Sequence, residues 1–473
     1  MATSGKFAHW LAQQTATAIS QPFSSPRLPS PQIGSWLGPF SKLAIANTLS
    51  HLLVPLAGLI DTAFLGHLSD IRYLNGVALA TIVFNVIYWS FNFFRMGTTG
   101  PTAQAIGKGD EDEIWLILVR NSLLALGMGC LVWLLRSPIS TVGFALLQAE
   151  PGVRLAAVDF YNGRIVGAPA VLLNYVLLGW LLGKSQGKQV VVLAAISSGS
   201  NILLDYWFIK HLGLESYGAG LATALSQYIM LVVGVGMVLA GGIPWQRWAN
   251  IKSRLWQPAS LLSLFNLNRD ILVRTFALVI SMSLFTNFSS GLGSTILGTN
   301  ALLIQVVLMS AYFMDGIALA VESYAGKFYG SRSMDDLYGL LLLGIGGSVV
   351  LGMAIALLLT LLPMRFFPLL TDHDILLETV PQYVWWLFPV LGFGGAAFTL
   401  DGYFLGLTDG GSLRNATLAA ALLGFLPLAL ISSHLKIPHL LWLALACLMM
   451  TRTVTLLKKV PATVSVPLAE AKL

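Results

Sequence analysis

Six ionisable side chains stand inside stretches that are otherwise apolar: Asp61, Arg95, Asp205, Asp315, Glu322 and Asp401. A charge near the middle of a hydrocarbon layer costs about 3 kcal/mol on insertion scales, so each calls for a role or a partner. Asp61 lies in GLIDTAFLGHLSD, with Ala57, Gly58, Phe64 and Leu65 at its i±3 and i±4 positions and no cation among them. Helical neighbours at those spacings are the ones able to pair with it. A desolvated carboxyl without a counter-charge favours its neutral form, which would let it exchange a proton near neutral pH. Pro55, in the same run, removes one backbone hydrogen bond and makes the helix a candidate hinge. The alternative for Asp61 is a place at the outer end of its span, facing water.

Asp205 follows Asn201 by four residues in NILLDYWFI, on one helix face. An amide both donates and accepts, so Asn201 is able to hold the carboxyl in either protonation state; a structural polar knot between helices is the plainer reading. Asp315 and Glu322 share a face about 10 Å apart, with Glu322 expected near a water-facing end. Arg95 is a candidate to pair with one of these carboxylates from the other half of the chain. Asp401, in FTLDGYFLG, has Phe398 and Phe404 at helical spacing, and an acid among ring faces would attract an organic cation. A gate or a packing contact would use the same residues.

The elements that must position these groups follow from composition. Of 473 residues 56% are hydrophobic and only 10% charged, too few polar side chains to cover a soluble globule of this size. Apolar runs of about 20 residues, each enough to cross a bilayer as helix, are predicted at 40–66, 74–99, 114–135, 159–183, 188–209, 217–241, 271–295, 297–325, 337–362, 380–405, 412–432 and 437–457. The fold class is therefore an all-α polytopic membrane protein. The formal net charge of +6 is not a nucleic-acid footprint, because Lys and Arg collect on alternate connections. By the positive-inside rule both termini are cytoplasmic.

Domain boundaries are expected at 1–38 (a disordered tail), 39–241 (six spans), 242–270 (a linker with Pro244, Pro258 and several Trp and basic residues), 271–460 (six spans) and 461–473 (a second tail). The first segment, rich in Ser, Thr and Pro and without acids, also has the composition of a plastid transit peptide. The stretch Phe91 to Glu113 is echoed by Ser310 to Asp336, matching Gly97 with Gly316 and Gly107-Lys108 with Gly326-Lys327. Both halves hold an even number of spans, so the repeat is parallel, about an axis normal to the membrane, with a cavity between two six-helix lobes. There is no Walker phosphate loop and no metal-ligand spacing, so neither cofactor nor metal is expected. Cys130 and Cys447 read as structural thiols, and no nucleophile–base constellation suggests an enzyme.

The segments LVPLAGLIDTAFLGHL, FFRMGTTG, GAPAVLLNYVLLGW and NILLDYWFI, in this order, resemble the multidrug and toxic compound extrusion (MATE) transporters, and more narrowly their DinF-type branch. The resemblance covers the chain from about Lys42 to Val460. It implies a V-shaped antiporter in the plasma membrane that exports amphipathic, often cationic organic compounds against an inward proton or sodium gradient. It assigns coupling to Asp61, with Asn201 and Asp205 completing the polar network, and brings in Asn174 as a cavity candidate. Family members commonly carry a proline near the position of Ala46, so a bend here would fall to Pro55. Protons are the expected coupling ion, with Na⁺ on the oxygens of Asp61, Asn201 and Asp205 as the alternative. A lipid-linked precursor flippase is a further reading, which expects a basic cavity. The expected partners are a small organic substrate and the lipid bilayer, with the protein a monomer.

Overall fold

The computed structural model describes residues 33–66, 70–145, 147–242 and 248–464, without the side chains of 33, 54–57, 59–63, 65 and 248–250. Among the described residues there is no strand. Among the same residues ten helices are long and apolar enough to cross a membrane, and a pair bent by 54°, Pro151–Ile165 with Ala168–Gly183, makes an eleventh when counted as one span. The 34-residue helix Ile33–Gly66 precedes them all.

Along the chain these are α1 (Ile33–Gly66), α2 (Arg72–Lys108), α3 (Glu111–Leu134), α4 (the bent pair), α5 (Gly187–His211), α6 (Glu215–Ala240), α7 (Pro258–Ser290), α8 (Ser294–Gly330), α9 (Met334–Leu361), α10 (Asp374–Gly406), α11 (Gly410–Leu435) and α12 (Pro438–Val464). Two boundaries differ from expectation. Residues 33–38, expected as tail, are already helical, and 258–270, expected as linker, are the first turns of α7. Pro258 sits in the first turn, where its missing N–H costs nothing, so it starts a helix rather than breaking one. Asp110 and Asp409 cap α3 and α11, accepting from the Glu113 and Ser412 amides at 3.0 Å.

The two halves repeat in backbone detail. Gly109 and Arg332, 223 residues apart, end α2 and α8 in the left-handed conformation (φ 70° and 59°); Ser185 and Thr408, again 223 apart, do so after α4 and α10 (φ 57° and 61°). The closing hydrogen bonds match: Ser185 and Gln186 donate to Leu182 and Leu181, Thr408 and Asp409 to Leu405 and Phe404. This offset corrects the register of the repeat. Gly107 corresponds to Gly330, not Gly326, and Gln104 to Lys327. The matched Gly-Lys pairs are displaced by four residues, about one helical turn, so they present the same face and look equivalent in sequence.

The pseudo-two-fold axis passes where α2 crosses α8. A Cβ on Gly107 would fall on the Lys327 carbonyl, and one on Gly330 would fall on the Gln104 carbonyl, a reciprocal pair. Gly326 meets Ala103, its own mate, on the axis itself. Nearby, Gln104 Nε2 donates to the Gly406 carbonyl (2.9 Å), and Ser323 Oγ to the Leu182 carbonyl (2.7 Å), each joining one lobe to the other. Small residues let the backbones approach, as membrane helices require in the absence of a hydrophobic drive between them. The described chain ends lie on this same side: Trp36 Nε1 donates to Asp336 (3.0 Å) and Thr463 meets the Tyr403 hydroxyl (2.7 Å). The two lobes are thus closed against each other at this end.

Candidate functional site

In the first lobe the site is built on α5. Asn201 Nδ2 donates to Asp205 Oδ2 at 3.0 Å, and both side chains are buried. Directly after Asp205 the helix widens over Tyr206–His211 into i→i+5 turns, a local irregularity often found where a helix carries function.

Asp61 and Pro55 lie on α1, and their side chains are outside the described ones; α1 runs through Pro55 as one helix. The turn that carries Asp61 is nevertheless located by its neighbours. Gly187, at the start of α5, lies against Leu43 and Ala46. Ser198 Oγ then reaches the Leu53 carbonyl (3.4 Å), and the Phe64 and Tyr206 rings lie 6.4 Å apart. These contacts advance together, so the helices run parallel. From the Ser198–Leu53 contact, Asp205 is about 10 Å and Asp61 about 12 Å further along, which brings the two turns level.

Asn174, on α4, is tied into the same lobe. Its Nδ2 donates to the Gln227 carbonyl (2.9 Å) and side chain (3.1 Å), and Gln227 Nε2 donates to Ser197 Oγ (3.0 Å). The amide is a brace among α4, α6 and α5.

The second lobe holds a separate ionic cluster. Asp401 on α10 accepts from two guanidinium groups, Arg274 of α7 and Arg452 of α12, through the same oxygen, and all three are buried. The ring of Phe398 lies 5.9 Å from the Arg452 guanidinium carbon. The acid and ring that sequence offers to a foreign cation are therefore occupied by the protein's own. Asp315 and Glu322 on α8 lie in the field of Arg95 and Arg274, and Asp315 also in that of Arg452. Arg95, from the other lobe, donates through Nε to Asn92 (3.2 Å). Glu322, expected near water, is 1% exposed, because the lobes pack over it at the α2–α8 crossing. Three carboxylates face three guanidinium groups.

Arg274 and Arg452 escaped the sequence reading. Each falls within two turns of a predicted span end, where a cation is read as interfacial. The signal that would have found them is helical: each also lies deep in a helix extending beyond its predicted apolar run. The acids are not repeated between the lobes, since the 223-residue offset places Thr99 opposite Glu322, Leu178 opposite Asp401 and Leu428 opposite Asp205. Among the described residues no group of three or more His, Cys, Asp or Glu could hold a metal ion.

The MatE family model matches residues 47–207 and again 271–430, one copy per lobe. The chain is 34% identical over 424 residues to DNA damage-inducible protein F of Escherichia coli K12, covering 88% of this chain and 90% of that one. It is 25% identical over 403 residues to Protein DETOXIFICATION 44, chloroplastic, of Arabidopsis thaliana, covering 81% and 74%. An outward-facing multidrug resistance MATE family transporter of the MOP superfamily has the same fold, with a TM-score of 0.78 at 19% identity over 90% of this chain and 95% of that one. A non-enzymatic, all-helical membrane protein with this double match is a member of the MatE family, the multidrug and toxic compound efflux transporters.

Proposed function

We propose that this transporter exports amphipathic, often cationic organic compounds in exchange for protons, with Asp61, Asn201 and Asp205 as the coupling set. The observation that carries the reading is the buried Asn201–Asp205 pair, level with the turn of α1 that bears Asp61. An amide partner tolerates both protonation states of a carboxyl, so a proton can come and go without leaving a buried donor unsatisfied. Protonation on the outer side weakens the hold on a cationic substrate; deprotonation on the inner side restores it. Coupling then follows if the two lobe arrangements differ in affinity for proton and substrate.

The protein resides in the plasma membrane with the closed, basic end in the cytoplasm. The second-lobe cluster supports an organic cargo over a lipid phosphate, because its three guanidinium groups are balanced by Asp315, Glu322 and Asp401 and leave no basic excess. The test is export from everted vesicles with ΔpH and the Na⁺ gradient varied independently. Wild type should follow ΔpH, and Asp61→Asn and Asp205→Asn should lose that dependence. Export that follows Na⁺ at fixed pH, or full ΔpH-driven export by Asp61→Asn, overturns the assignment.

A further inference from the structure

The pseudo-symmetry is broken at one place on the closed end. On one side of the axis a plug of rings fills the junction of α1, α8 and α9. Trp36 packs on Phe40 (6.1 Å between centroids) and Phe328 (5.6 Å), with Tyr324 between them, and the indole N–H donates to Asp336. On the other side the corresponding junction is made by α7, α2 and α3. The 223-residue offset puts Pro101 in the place of Tyr324, Ala105 in that of Phe328 and Glu113 in that of Asp336. For α1 and α7 the offset is 224, set by Gly187 against Leu43 and Ala46 and Gly410 against Leu267 and Asp270; Ser260 replaces Trp36 and Leu264 replaces Phe40. All five replacements line a cleft of about 930 Å³, a volume suited to a drug-sized molecule. The cleft is the space the missing rings would occupy.

Its polar lining indicates what would enter. Asn121 is 1% exposed; its Nδ2 is committed to Thr98 (3.0 Å) and its Oδ1 has no partner. Asp110 and Asp409 both line the cleft, one from each lobe; Glu113, the equivalent of the carboxylate that takes the indole N–H, is held by Arg120 (3.2 Å) and Arg254 (3.0 Å). Of the cations on the wall, Arg120 is already bonded to Glu113 (3.2 Å) and to the Leu255 carbonyl (3.0 Å), and Lys108 reaches solvent. The protein's own plug is an aromatic ring system donating an N–H to a carboxylate. We propose that the mate cleft binds an aromatic organic cation, rings in the place of the plug and N–H toward Asp110 and the Asn121 oxygen. This site is distinct from the one on α5. Because one wall belongs to each lobe, a molecule bound here favours the arrangement closed at this end and slows reopening.

Ethidium, a planar aromatic cation, serves as the probe on the full-length protein in nanodiscs. Two variants rebuild the plug, Ser260→Trp with Ala105→Phe, and are compared with Asn201→Ala at the α5 site. Fluorescence anisotropy should show a binding class that the rebuilt plug weakens at least tenfold and that Asn201→Ala leaves in place. Unchanged binding by a folded plug variant overturns the proposal. A second readout needs no bulky substitution: in Ser263→Cys, on the same wall, ethidium should slow maleimide labelling several-fold, while the anionic dye anilinonaphthalene sulfonate should not. Labelling that ethidium leaves unchanged, or that the anion slows equally, refutes the cleft or its charge preference.

Discussion

Asp401 shows how one buried residue changes meaning with its partners. Two guanidinium groups meet on one of its oxygens, so removing the acid leaves two buried cations facing each other. Breaking a buried pair this way costs about 3–5 kcal/mol. Asp401→Asn should therefore lower the melting temperature of the detergent-solubilised protein markedly, and adding Arg274→Met should recover part of the loss. Asn174 and Asn201, both buried amides, should separate in function. Asn174→Ala removes a brace and costs about 1–2 kcal/mol of stability with ΔpH dependence retained, whereas Asn201→Ala should weaken ΔpH dependence in the vesicle assay. Equal coupling defects in the two variants would mean that the brace and the coupling pair are one unit.

Among the elements, α2 and α8 bear the close backbone contact between the lobes. Their crossing requires Gly107, Gly326 and Gly330, since a Cβ at each would meet the facing helix. Gly326→Leu should keep this end from closing, because its side chain falls on Ala103 at the axis. Spin labels at Lys108 and Ser331, symmetry mates at the exposed ends of the two helices, should report a longer mean distance in that variant than in wild type. An unchanged distance distribution would show that closure does not depend on this approach. The register of the repeat was only partly legible: Gly and Lys recur one turn out of step, and a four-residue slip leaves the same helix face in view. The left-handed residues Arg332, Ser185 and Thr408 gave no warning in sequence, since none is glycine.

At the scale of the whole molecule the two lobes share a backbone plan and divide the chemistry. The first holds the amide–carboxyl pair, the second the Asp401–Arg274–Arg452 ion cluster, and the cleft left by the missing plug lies between them on the closed end. Orientation is testable with membrane-impermeant maleimide on intact cells. Thr371→Cys, between α9 and α10, should label from outside, and Ser331→Cys, at the closed end, only after permeabilisation; the reverse pattern would invert the protein in the membrane.

Amino-acid order alone determined that the chain lives in a bilayer as a bundle of helices, that its halves repeat, and which acids stand in apolar runs. These are consequences of local hydropathy and helical period, which need no partner to be read. Tertiary structure decided who meets whom. It paired Asp401 with Arg274 and Arg452, buried Glu322 under the lobe contact, bonded Asn174 to Gln227, and left Pro101, Ala105 and Ser260 around a cavity where their mates are rings. The reason is physical: the cost of a buried charge and the volume of a missing side chain are set by residues hundreds of positions away, and only packing brings those within reach.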